Sequence, residues 1–201
     1  MARLKPYFSK GQMEAGCDEA GRGCLAGPVV AAAVILPKGW NHELLDDSKK
    51  LNESQRLKVR EAILNDVEHY AVGVCDHHEI DGINILNASF LAMHKALQKL
   101  KATPDCILVD GNRFTPFPNV THRCVIGGDG IYRSIAAASV LAKTHRDQMM
   151  QDLHAQFPEY GWDSNKGYPT KKHRAAIAEI GASRYHRSSF TLLPKQLALD
   201  V

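Results

Sequence analysis

Four carboxylates stand where strand-forming runs of the sequence stop. Asp18 and Glu19 end the run from Gln12 and precede the turn Gly21-Arg22-Gly23. Asp110 closes the apolar run Cys106–Val109, and Asp129 sits among glycines after the run Val120–Ile126. An acid at the end of a buried strand is costly without a counter-charge or a metal. Several of them gathered at one sheet edge make an oxygen-only donor set suited to Mg²⁺ or Mn²⁺. Two such cations about 4 Å apart are the usual apparatus for in-line phosphodiester hydrolysis. Asp-Gly pairs also form turns, so each acid taken singly has a plainer reading. Neighbouring strand residues point to opposite faces, which makes Asp18 the safer ligand and requires a bend for Glu19 to join it.

The elements that must position these acids can be read from periodicity. Val29–Leu36, fenced by Pro28 and Pro37, suits a buried strand, and Val67–Cys75 alternates like another. Asn52 with Gln55 three residues on resembles a capping box that opens a helix to about Asn65. Ile83, Leu86, Phe90, Met93 and Leu97 share one helical face, predicting a helix over Ile83–Leu100. Ser134–Gln156 and Thr170–Ile180 read as further helices, the second after the turn Gly167-Tyr168-Pro169. The order of strands and helices predicts an α/β or α+β layer fold without the regular alternation of a dinucleotide-binding domain.

Composition narrows the class. The 201 residues, 44% hydrophobic and 23% charged, suit one globular domain with a sizeable core. No apolar run approaches the ~20 residues of a membrane span, and the N-terminus lacks a secretory h-region, so a soluble, cytoplasmic chain is expected. Five scattered cysteines without a CxxC pair argue against a disulfide scaffold or a zinc cluster, and Cys75 and Cys106 read as small buried hydrophobes. His77-His78 beside Glu79 and Asp81 lacks the spacing of a helical zinc site and reads as an exposed loop. Net charge is only +3, yet Ser164–Phe190 carries Lys166, Lys171, Lys172, Arg174, Arg184 and Arg187 against Glu179 alone. Such a stretch suits either a polyanion or plain solvent.

Several ordered motifs resemble ribonuclease HII, the type 2 ribonuclease H. They are Cys17-Asp18-Glu19-Ala20-Gly21-Arg22-Gly23 running into Leu25-Ala26-Gly27-Pro28, Asp47-Ser48-Lys49-Lys50-Leu51, Val109-Asp110-Gly111-Asn112, Ser134–Ser139 with Leu141-Ala142-Lys143, Asn165–Thr170 with His173, and His186-Arg187 with Ser189-Phe190. The likeness spans residues 14–195. It implies a ribonuclease H-like α/β fold, with a mixed sheet of about five strands, flanking helices and a C-terminal helical extension. The implied division is a catalytic domain over 1–163 and an extension over 164–201 that packs on it and meets substrate.

The resemblance also implies the chemistry. The expected reaction is hydrolysis of the RNA strand of RNA–DNA hybrids, and incision 5′ to single ribonucleotides in duplex DNA, leaving 3′-hydroxyl and 5′-phosphate ends. Asp18, Glu19, Asp110 and Asp129 map onto the family's catalytic, metal-binding acids, with two Mg²⁺ or Mn²⁺ ions as cofactors. Gly21, Arg22 and Gly23 map onto the turn that senses the 2′-hydroxyl, and Tyr168 onto the tyrosine beside it. Lys49, Ser139, Lys143 and Arg146 are expected at phosphates, Lys143 and Arg146 being equally readable as helix-surface cations. A monomer acting on nucleic acid, with no membrane partner, is expected. Gly127 and Ile131 stand where the family usually has lysines, which predicts slower or more salt-sensitive turnover. A junction resolvase on the same fold and a non-catalytic hybrid-binding module are the rival readings. The glycine-arginine-glycine turn with Tyr168 argues against the first, and the full set of acids against the second.

Overall fold

The computed structural model describes residues 4–193. Five strands form one sheet in the order β3-β2-β1-β4-β5: β1 (Glu14–Ala20), β2 (Val29–Ile35), β3 (His69–Cys75), β4 (Cys106–Asp110) and β5 (Thr121–Val125). β1, β2 and β3 pair antiparallel, whereas β4 runs parallel to both β1 and β5. The sheet is therefore mixed, with flanking helices, as the resemblance implied.

The helices are α1 (Glu53–Asp66), α2 (His77–Ile83), α3 (Ile85–Gln98), α4 (Arg133–Gln156), α5 (Trp162–Asn165) and α6 (Lys171–Ile180). Every residue of β2 is buried because both sheet faces are covered. Val29, Ala31 and Ala33 pack toward Ala88, Ala92, Met93 and Ala96 of α3. Ala32 and Val34 on the other face meet Ala136, Ala137, Val140 and Leu141 of α4 and Val59 and Ile63 of α1. This is the alternation a two-sided strand requires. Small residues let the layers close: a Cβ at Gly16 would come within 2.2 Å of the Ser134 backbone, and one at Gly73 within 2.0 Å of the Ala92 carbonyl oxygen. The start of α4 is thereby pressed against β1, beside Asp18.

The capping box of α1 forms as the sequence predicts, with Gln55 N–H donating to Asn52 Oδ1 at 2.9 Å and Asn52 N–H to Gln55 Oε1 at 2.9 Å. Two expectations are corrected. The single helix over 83–100 is two, broken at Asn84, whose φ of +66° departs from the helix and whose side chain caps α3. His77-His78 is the first turn of α2 rather than an exposed loop: Asp76 and Glu79 cap it reciprocally, and buried His77 packs edge-on to Tyr185. The cysteines are free, with Cys75 and Cys106 buried as expected. Among the described residues no helix is long and apolar enough to cross a membrane. Of the expected extension, 164–193 folds onto the same body through Trp162, Tyr160, Met150 and Ile177, while 194–201 lies outside the described residues.

Candidate active site

Because β1 and β4 are parallel neighbours, their C-terminal ends reach the same sheet edge. That edge receives Asp18 from β1 and Asp110 from β4. Asp129 arrives from a 3-10 turn, Gly128–Gly130, entered through Gly127 at φ +66°. The turn is tied back by the Gly128 N–H, which donates to Asp110 Oδ1 at 2.7 Å. A Cβ at Gly128 would lie 2.6 Å from Ile135 Cδ1 and 3.2 Å from Val125 Cβ, so a side chain there would make Ile135 shift. The result is a trio of carboxylates whose oxygens lie within 4.8 Å of one another.

Asp18 and Asp129 are each only 4% exposed. Burial pushes the Asp18 carboxyl well above the usual carboxylate range, and Glu19 and Asp110 push it further; the Ser139 hydroxyl acts against them. Asp129 is also raised, by burial and then by Asp110, while Lys49 opposes the shift with its Nζ 3.2 Å from Asp129 Oδ2. Buried acids that repel one another and offer hard oxygens fit a divalent cation, whose charge removes the conflict. Glu19 does not join the trio. It faces Arg22, with Oε1 3.3 Å from Nη1, and its carboxyl is raised by burial against the pull of that guanidinium. The strand-parity argument thus describes the pair: Asp18 enters the cluster and Glu19 stands at its rim.

Above the acids opens a cavity of about 260 Å³. Of the expected substrate contacts, Gly21, Arg22, Gly23, Lys49, Ser139, Lys143 and Tyr168 all line it. Their conditions differ. Tyr168 is 40% exposed, its carbonyl held by His173 Nδ1 at 2.9 Å, with Lys143 Nζ 5.9 Å from its ring centre. Lys143 is also paired to Asp147 at 2.7 Å. Ser139 is buried, its hydroxyl on Ser48 Oγ at 2.8 Å and on Asp18, so it orients an acid rather than offering itself to phosphate.

Arg146 corrects its expectation outright. It is 1% exposed, does not line the cavity, and directs its guanidinium to the carbonyls of Pro28, Lys166 and Ala26 at 2.9, 2.8 and 3.1 Å. Arg187, read from sequence as part of a polyanion-binding or solvated face, is likewise fully buried. The sequence reading also missed Arg56, which lines the cavity and holds the Lys49 loop by the carbonyls of Ser48 and Leu51. Its place one turn into α1, just after that loop, was the available signal.

A family model described as Ribonuclease HII matches residues 15–193. The chain is 58% identical over 196 residues to a protein named Ribonuclease HII from Parabacteroides distasonis, covering 98% of each. It is 60% identical over 190 residues to Ribonuclease HII from Bacteroides fragilis, covering 94% of each. Among solved structures it is similar to ribonuclease H2 from Pyrococcus horikoshii OT3, with a TM-score of 0.73, 26% identity, and 89% of this chain and 94% of that one covered.

Proposed function

Because the chain belongs to the ribonuclease HII family of metal-dependent nucleases, we propose that it hydrolyses the RNA strand of RNA–DNA hybrids and incises 5′ to single ribonucleotides in duplex DNA. The observation that carries this reading is the carboxylate trio, of which Asp18 and Asp110 line a cavity shared with the Gly21-Arg22-Gly23 turn and Asp129 lies beside them. Asp18, Asp110 and Asp129 would hold the cations, with Glu19 at the rim completing the set. A pair of Mg²⁺ or Mn²⁺ ions bound there supplies a water of lowered pKa and charge stabilisation for the leaving 3′-oxygen.

The protein's own groups position the strand. Lys49 balances Asp129 in the free protein and lies where a phosphate would pass, so a bound nucleic acid can take over its ammonium. The N–H groups of Arg22 and Gly23 make no hydrogen bond within the protein among the described residues, and both residues line the cavity, which leaves these donors for a sugar hydroxyl or phosphate oxygen. The Tyr168 ring offers a flat face to the sugar beyond the ribonucleotide, and its hydroxyl, now bonded to the Cys24 thiol, lies near the same turn. The extension over 164–201 would meet the duplex through exposed Lys171, Lys172 and Arg184.

The test is a duplex with one labelled ribonucleotide, incubated with Mg²⁺ or Mn²⁺. The expected result is a single nick 5′ to the ribonucleotide, leaving a 3′-hydroxyl, absent in Asp129→Asn. Binding without a nick would favour a hybrid-binding module, and cutting of all-DNA junctions a resolvase; either would overturn the proposal.

A further inference from the structure

Two carbonyl groups of the Gly21-Arg22-Gly23 turn, those of Gly21 and Arg22, are taken up by a buried guanidinium. Arg187 Nη2 donates to Gly21 O at 2.8 Å and Nη1 to Arg22 O at 2.9 Å. The same side chain reaches Gly27 O at 3.0 Å and Pro28 O at 3.2 Å. All peptide bonds here are trans. In a trans peptide the N–H of the next residue points opposite to the carbonyl. Fixing the carbonyls of Gly21 and Arg22 on Arg187 therefore fixes the N–H groups of Arg22 and Gly23 away from it, and both of these residues line the cavity.

We propose that Arg187 is a positioning residue for 2′-hydroxyl recognition: it never touches substrate, but sets the direction and donor strength of these two N–H groups. The proposal rests on the ribonuclease reading above. Three features of the surroundings fit this role and not simple core filling. Arg187 is fully buried and remains cationic, though burial lowers it to about 10. Among the described residues no carboxylate lies within ion-pair distance of it, so its charge falls on peptide carbonyls, which polarises those peptides and strengthens the N–H on the far side. Gly21 also packs closely on Arg146, since at φ +98° a Cβ there would lie 2.0 Å from Arg146 Nε.

The next two residues are pinned in turn. Asp81 accepts from the N–H and hydroxyl of Ser188 at 2.9 and 2.8 Å, and from both groups of Ser189 at 3.0 and 2.5 Å. Four donors hold this carboxyl down to about 2 despite the opposing cost of burial. A fork is essential to Arg187, because its four carbonyls are met by three different nitrogens and a lysine offers one donor atom.

Arg187→Lys tests the idea through two affinities measured with Ca²⁺ in place of Mg²⁺ or Mn²⁺, after the duplex is checked to stay intact: one for a duplex with a single ribonucleotide and one for the same duplex in DNA alone. The expected result is that the preference for the ribonucleotide falls about tenfold, as for loss of a hydrogen bond worth about 1.4 kcal/mol, while the all-DNA affinity stays within about twofold. Both affinities falling together, or an unchanged preference, would overturn the proposal. Should Arg187→Lys fail to fold, Asp81→Asn keeps the guanidinium and loosens only its tether. A smaller loss of preference, about threefold, is expected there, and none would overturn the proposal. A wild type without any preference would defeat the ribose-sensing reading and this proposal with it; a wild-type preference retained in the variants defeats this proposal alone.

Discussion

Two clusters of buried charge lie on either side of the Gly21-Arg22-Gly23 turn, and they are resolved in opposite ways. Asp18, Asp110 and Asp129 are gathered within 4.8 Å with Lys49 as a partial balance, and burial raises both Asp18 and Asp129. Arg146 and Arg187 are buried at least as deeply, yet their guanidiniums are met by seven carbonyl bonds from the 21–28 loop and Lys166. The anionic cluster awaits a charge from outside. The cationic one is complete. On the proposed function, the difference separates the two roles: unresolved buried charge would mark the place of chemistry, and resolved buried charge the frame that holds it.

Removing one acid should give the largest effect. Asp110→Asn or Asp129→Asn should cut turnover about 10³-fold, since metal catalysis supplies several kcal/mol at 1.36 kcal/mol per tenfold; single-turnover rates on the one-ribonucleotide duplex check this. Arg146→Ala should do the reverse, attacking stability first. It strands the carbonyls of Ala26 and Lys166, leaves Pro28 O to Arg187 alone and opens a void, which costs about 3–5 kcal/mol and lowers Tm by roughly 6–20 °C for a domain of this size. A drop below about 3 °C would mean the frame is not held by this side chain.

The two sides should also titrate in opposite directions. Asp18 has a raised folded pKa, so its contribution to stability is present in acid and lost as pH rises through that value. His186, on the frame side, is lowered to about 4 by burial and by neighbouring His173, which burial lowers as well. The unfolded imidazoles take up protons near pH 6.5 while folded His186 resists until about 4, so their contribution falls as pH drops through that window. His173 accepts from Trp162 Nε1 at 3.0 Å, and His186 lies 3.1 Å from it. With Trp40→Phe leaving Trp162 as the only tryptophan, its emission should report loosening of this layer between pH 6.5 and 4. The smallest effect concerns Ile131, half-buried against Cys106, Leu108 and Tyr132. Ile131→Lys should raise the cleavage rate at moderate salt by about two- to fivefold through one added, partly screened charge; no change would remove the account of the missing lysine.

Much of the acid side was legible in the sequence. Strand-ending acids beside glycines are a local signal, and parity along β1 separated Asp18 from Glu19 before any coordinates. The frame side was not legible in the same way. Arg146 and Arg187 read as surface cations because charge in a sequence carries no depth, and their carbonyl partners lie up to 166 residues away. Ser139 was misjudged for the same reason, its partner Ser48 being 91 residues distant. The helix break at Asn84 was missed because the apolar spacing of Ile83, Leu86 and Phe90 runs through it; only the left-handed φ of +66° marks the join.

The most direct test of this account is thermal unfolding of the wild type and Asp18→Asn with and without Mn²⁺. The account predicts that without metal the variant melts a few degrees higher, because one buried, repelled charge is gone, and that Mn²⁺ raises the wild type while leaving the variant nearly unmoved. Equal Mn²⁺ shifts in the two proteins, or a variant that melts lower without metal, would contradict it.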